Sequence, residues 1–169
     1  MKKYFFLIIC SIITISCSSS KKEPQEITCP DVVISKEHQS YYALLEDAGD
    51  NENNMSFVAT INNFNMQCKQ KETSDVESVL DLLFIANPLN ETVKKYNFNY
   101  FVSILDENDD ILDYQIFQVE GDFALDENDL VRETVHTESL DQYIPDNVKK
   151  YYVVVGFVLT EEKYNFINN

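Results

Sequence analysis

The sequence predicts an all-β fold: an antiparallel β-sandwich of about seven to eight strands with a short C-terminal helical turn. Three observations carry this expectation. Several runs alternate apolar and polar residues with a period of two. Turn signals rich in Asn, Asp and Pro recur between those runs. Beyond the N-terminal segment, no ten-residue stretch shows an apolar helical face. The chain has 169 residues, of which 44% are hydrophobic and 25% charged, so it can build one real core.

The elements follow in order. Val32 to Ser35 reads as a short first strand beside Cys29-Pro30. Tyr41 to Glu46 fits either a helical turn or a strand. Met55 to Asn62 and Phe64 to Lys69 read as two strands joined at Asn62-Asn63, and Val79 to Ala86 is a further strand ending at Asn87-Pro88. From Asn97 to Ile104, Phe98, Tyr100, Val102 and Ile104 share one face. Asp106 to Asp110 is a turn, after which Leu112, Tyr114 and Ile116 lie on one side of the run Ile111 to Val119, completing a hairpin. Leu130 to Thr137 is more polar, as suits a strand near an edge. Tyr151 to Leu159 is apolar on both faces, which predicts a central strand or an outer face that meets another surface. Gly156 within it predicts a bulge or a close backbone approach. Thr160 is placed to cap a short terminal helix with Glu161 and Glu162 in its first turn.

The N-terminal segment reads as an address. Met1-Lys2-Lys3 is a positive n-region, and Tyr4 to Ile15 is an uncharged apolar run of 12 residues. A bilayer-spanning helix needs about 20 such residues, so the run fits a secretory signal rather than a permanent anchor. Ser16-Cys17 follows directly. A small residue before a Cys at this point resembles the lipobox of bacterial lipoproteins. Thr14 stands where that family usually carries Leu, and Cys10 is a poorer candidate because the bulky Ile9 precedes it. The resemblance implies cleavage before Cys17 and acylation of it, which divides the chain into a signal peptide at 1–16, a lipidated Cys with a flexible tether at 17–28, and a domain at 29–169. Two or more acyl chains anchor stably where one does not. Ser18, rather than Asp, implies by the same resemblance release to the outer membrane, with the domain facing the periplasm.

The remaining cysteines, Cys29 and Cys68, would then share a compartment that permits disulfides. Two free thiols or a metal pair are the alternatives. No CxxC motif or His cluster favours the metal pair, and a structural disulfide is the preferred reading.

Charge narrows the partners. There are 29 acidic side chains against 13 Lys and Arg, a formal net charge of −16, which repels phosphate backbones and argues against nucleic acid. Removal of Lys2 and Lys3 with the signal leaves 11 basic side chains against the same 29, a charge of −18. The segment LDEND occurs at 105–109 and again at 125–129, and such loops can hold Ca²⁺. Ile111 occupies the position where the calcium loop needs Gly, so two solvated turns are the simpler reading, and neither a metal nor a cofactor is expected. His38 and His136 have no ligand neighbour at i+2 or i+4 and read as surface or rim residues. No nucleophile turn or phosphate loop is present, so no catalytic residue is assigned. Tyr41-Tyr42, Tyr96, Tyr100 and Tyr151-Tyr152 could line a sugar or peptide surface, but aromatics on alternating strands more often fill a core.

Cys29-Pro30, Cys68, the YFVSILDENDDIL hairpin, Ile144-Pro145 and the ending VVVGFVLTEEKYNF together resemble a group of small, mostly uncharacterised alphaproteobacterial lipoproteins. That resemblance implies an immunoglobulin-like sandwich at the outer membrane and no enzymatic activity. The expected function is a non-enzymatic, membrane-tethered protein-interaction module in envelope assembly or integrity. Its partners would be the membrane, through Cys17, and envelope proteins, with Asp109, Asp110, Asp126 and Glu127 as the acidic rim of the contact. A solute- or cation-binding periplasmic lipoprotein is the alternative, although a small-molecule ligand is not expected.

Overall fold

Ten strands and one helix form in the computed structural model, which describes residues 29–45, 55–70, 76–144 and 150–168. The strands are β1 (Asp31–Ile34), β2 (Ser40–Leu44), β3 (Met55–Gln70), β4 (Val76–Pro88), β5 (Lys95–Asp106), β6 (Ile111–Asp122), β7 (Ala124–Leu125), β8 (Val131–Arg132), β9 (Thr134–Ile144) and β10 (Tyr151–Phe157), followed by α1 (Glu161–Asn168). The expected signal peptide, Cys17, the tether and Pro145 lie outside the described residues.

The fold is an all-β sandwich. One sheet has the order β1-β10-β5-β6, the other β2-β3-β4-β9, and β7 and β8 form a small ribbon. All pairings are antiparallel except β1 with β10. The period-two faces explain the packing. Phe98, Tyr100, Val102 and Ile104 on β5 are all buried, and so are Val153, Val155 and Phe157 on β10. They meet Phe57, Ala59 and Ile61 of β3 and Leu80, Leu82, Phe84 and Ala86 of β4. Phe84 is the centre of this interior, its ring 5.0 Å from Tyr100, 5.3 Å from Phe98 and 5.9 Å from Phe157. The space between the sheets is therefore filled by aromatic side chains.

Several expectations are corrected. Met55 to Lys69 is one continuous strand, not two joined at Asn62-Asn63. Both halves pair with β4, Ile61 opposite Phe84 and Asn63 opposite Leu83, so the Asn pair is a bulge rather than a turn. The extra residue shifts the phase: core positions run Phe57, Ala59, Ile61 before it, and Met66 and Cys68 pair with Leu80 and Ser78 of the core side after it. Leu130 to Thr137 divides into β8, which pairs locally with β7, and the start of β9. β9 is an edge strand, as its polarity suggested. Tyr41 and its neighbours are strand, not helix.

Cys29 precedes β1 and Cys68 lies in β3, so a bond between them would link the two sheets. Their Cα atoms are 5.6 Å apart, so the pair is placed for a disulfide. The outer face of β10 is covered by the 3₁₀ turn Lys36–His38, and α1 packs on that turn and on β2. Thr160 caps α1 through its Oγ1, which accepts from the Lys163 N–H at 3.3 Å. Lys163 Nζ donates to the Tyr41 hydroxyl at 2.8 Å and lies 4.1 Å from its ring centroid, and the Tyr164 hydroxyl donates to Glu37 at 2.8 Å.

Candidate interaction surface

The outward positions of the β1-β10-β5-β6 sheet are unusually apolar. Paired positions across the β5–β6 hairpin join the buried even-numbered residues of β5 to odd-numbered residues of β6, Ile104 opposite Asp113 and Tyr100 opposite Phe117. Tyr114 and Ile116 therefore point away from the core, opposite the outward Ser103 and Phe101. Leu112 is exposed as well, at a register shift that breaks the alternation. Ile116 is 55% exposed, Tyr114 48% and Leu112 46%. The Tyr114 ring stacks on Phe101 with centroids 5.6 Å apart. Val33 on β1 and Ile111 at the start of β6 extend the apolar exposure.

β6 is also an open edge. It pairs with β5 on one side, and no strand lies on the other among the described residues. Its first six residues, Ile111 to Ile116, are all exposed on both faces. Charge is missing along its middle: Tyr114 to Val119 reads YQIFQV in a chain that is 25% charged. An edge of this kind lacks the usual protection of Lys or Pro.

The two LDEND segments fold into the same turn. Asp106 Oδ1 accepts the N–H groups of Asn108 at 2.8 Å and Asp110 at 3.0 Å. Asp126 Oδ1 accepts those of Asn128 and Leu130, both at 2.9 Å. Asp109 (φ 67°) and Asp129 (φ 59°) take the left-handed position that finishes a three-residue hairpin loop. These bonds hold the Asp106 carboxyl below the usual carboxylate range, the Asn108 N–H contributing most. The Asp126 carboxyl is lowered likewise, mainly by the Leu130 N–H and then by Arg132, whose guanidinium pairs with it. The repeat is structural, because each first Asp is occupied in holding its own turn.

The four residues of the expected acidic rim lie on these two turns. Asp109 and Asp110 join β5 to β6 at one end of the hairpin. Asp126 and Glu127 follow the other end, where Asp122 pairs with Lys95. The 12 residues of β6 separate the two turns along the chain, about 35 Å of strand, so each turn is placed at its own end of the hairpin. Asp109 also accepts the Tyr152 hydroxyl, which raises the Tyr152 pKa.

The histidines are not simple rim residues. His38 is half-buried over Gly156, and its Nδ1 lies 2.9 Å from the Phe157 carbonyl. His136 lies between the Tyr96 hydroxyl at 3.3 Å and Glu138 at 2.5 Å. Burial, followed by the nearby Asp122, raises the Tyr96 pKa, the opposite of an activated nucleophile. Tyr96 and Tyr100 belong to the core, whereas Tyr42 packs on Phe166 beside a small groove of about 180 Å³. Among the described residues, no group of three or more His, Cys, Asp and Glu is placed to hold a metal ion.

No protein-family model, no curated protein and no solved structure matches the chain.

Proposed function

We propose that this chain is a non-enzymatic envelope lipoprotein, anchored in the outer membrane through acyl chains on Cys17 and facing the periplasm. Its sandwich serves as a tethered protein-interaction module in envelope assembly or integrity. The observation that carries the reading is the open β6 edge with its exposed Leu112, Tyr114 and Ile116. Large apolar side chains beside unpaired backbone are what a strand-pairing partner needs. The filled interior supports this reading over a solute-binding one, which needs a cavity.

The anchor and the edge are tested separately. Cys17→Ala should abolish palmitate labelling and leave the signal uncleaved; unchanged labelling would refute the anchor. In-cell crosslinking with mass-spectrometric identification should recover envelope neighbours from wild type and lose them in Ile116→Lys. An identical set of neighbours from that variant would refute the edge as the binding surface.

A further inference from the structure

We infer that the occupant of the β6 edge is a second copy of this chain, paired antiparallel to the first about a two-fold axis at Tyr114. The inference rests on the interaction reading above and names its partner.

The sequence of β6 selects both the occupant and the register. A two-fold axis at Tyr114 sets that residue against its own copy, Leu112 against the copy's Ile116 and Asp113 against Gln115. Apolar residues meet apolar residues, and no acid opposes an acid. Gln115 already donates to Asp113 within one strand at 2.7 Å, so the same two groups are chemically matched across the axis. Other registers lose this matching. An axis at Gln115 sets Asp113 against Phe117, and one at Ile116 sets Leu112 against Glu120. The contact is isologous, so every favourable pair away from the axis occurs twice. Pairing joins the two four-stranded sheets into one of eight strands and covers the β6 edge of each copy.

The length of chain before the domain admits this register and excludes one near the far end of β6. Asp31 pairs with Tyr152, Tyr152 with Leu105 and Leu105 with Ile111, so the chain enters the domain at the level of Ile111, three positions from the axis. The two entry points then lie about 20 Å apart along the strand direction. The 12 residues from Cys17 to Thr28 can span up to about 40 Å, so both anchors reach one membrane. An axis near the far end of β6 would carry the entry points far beyond this. The ladder is short, and confinement at the membrane supplies the effective concentration that a short ladder requires.

The test is thiol crosslinking of the full chain in its own membranes, with wild type as the blank. Tyr114→Cys should shift most of the chain to a band of twice the mass. Leu112→Cys and Ile116→Cys should each remain monomeric alone and crosslink when expressed together. Adding Ile116→Lys to Tyr114→Cys should abolish the dimer. If Tyr114→Cys stays monomeric, or if all three positions self-crosslink alike, the two-fold pairing is wrong. Should Tyr114→Cys stay monomeric while Ile116→Lys still loses its envelope neighbours, the interaction reading survives with a different partner. If Ile116→Lys also keeps its neighbours, both fail.

Discussion

Gly156 lies directly beneath His38: a Cβ added there would stand 2.6 Å from the His38 Cβ and 2.8 Å from Cε1 of Phe101. The absence of a side chain lets the 3₁₀ turn close over β10. Gly156→Ala should therefore destabilise the domain by about 2 kcal/mol, the usual cost of overpacking. His38→Ala should not relieve it, because the clash is with the Cβ that alanine keeps. Urea unfolding of the single and double variants checks both statements. Wild-type stability in Gly156→Ala would show that the cover shifts freely.

Tyr100 presents the opposite case, in which a group can be removed to advantage. Its side chain is wholly buried and its hydroxyl has no hydrogen-bond partner. Burial, reinforced by Glu138, drives its pKa upward. Tyr100→Phe keeps the ring contacts with Phe84 and Phe117 and removes a desolvated polar atom. Stability should rise by about 1 kcal/mol. A lower midpoint in thermal unfolding would mean that the hydroxyl is satisfied in solution.

Much of this architecture was legible in the sequence, and the failures have physical causes. The β5 face, the first strand at β1 and the cap at Thr160 follow from local pattern alone. Gly156 announced a close approach, but not which element approaches, since His38 is 118 positions away. The Asn62-Asn63 bulge looked like a turn because Asn suits both, and only the pairing of β4 with both halves decides between them. The outward direction of Tyr114 and Ile116 was hidden by a bulge. The Asp106 turn by itself sets Leu105 opposite Ile111, which would pair the buried even face of β5 with even positions of β6; the extra residue at Leu112 shifts the ladder so that Ile104 meets Asp113. What no local pattern held was that β6 forms an edge, because that depends on the strand order of the whole sheet.

The twin turns predict a shared acid response. Asp106 and Asp126 both have folded pKa values below the ordinary aspartate value. Their stabilising contribution is therefore complete above that ordinary value and is lost as pH falls through the lower folded value. Below about pH 4 the turns at both ends of β6 should begin to loosen together. Amide exchange at the Asn108 and Leu130 N–H groups, followed by NMR as the pH falls, reads the two sites independently. Asp106→Asn keeps an acceptor but removes the charge, so it should flatten the response at Asn108 and leave Leu130 unchanged. A response at Leu130 that follows the Asp106 substitution would contradict local control.

The entry point of the chain predicts which end of the molecule electrostatic steering would use. The expected rim joined Asp109, Asp110, Asp126 and Glu127, but two of these are poor probes. Asp109 has a left-handed backbone that lysine adopts at a cost, and Asp126 holds its turn and Arg132. Asp110 and Glu127 are exposed and free of those roles, one at each end. The chain enters the domain at Cys29, on the side of the β5–β6 turn, so the proposed anchor would hold Asp110 of a single copy nearest the membrane. Membrane-embedded partners with a basic patch should meet that end first. Asp110→Lys should slow capture of envelope partners at low salt and reduce its salt dependence, while Glu127→Lys should leave both close to wild type. Capture kinetics at two ionic strengths separate the variants. Equal effects from both would mean that net charge acts as a whole, and no effect from either would mean that the acidic surface serves solubility alone.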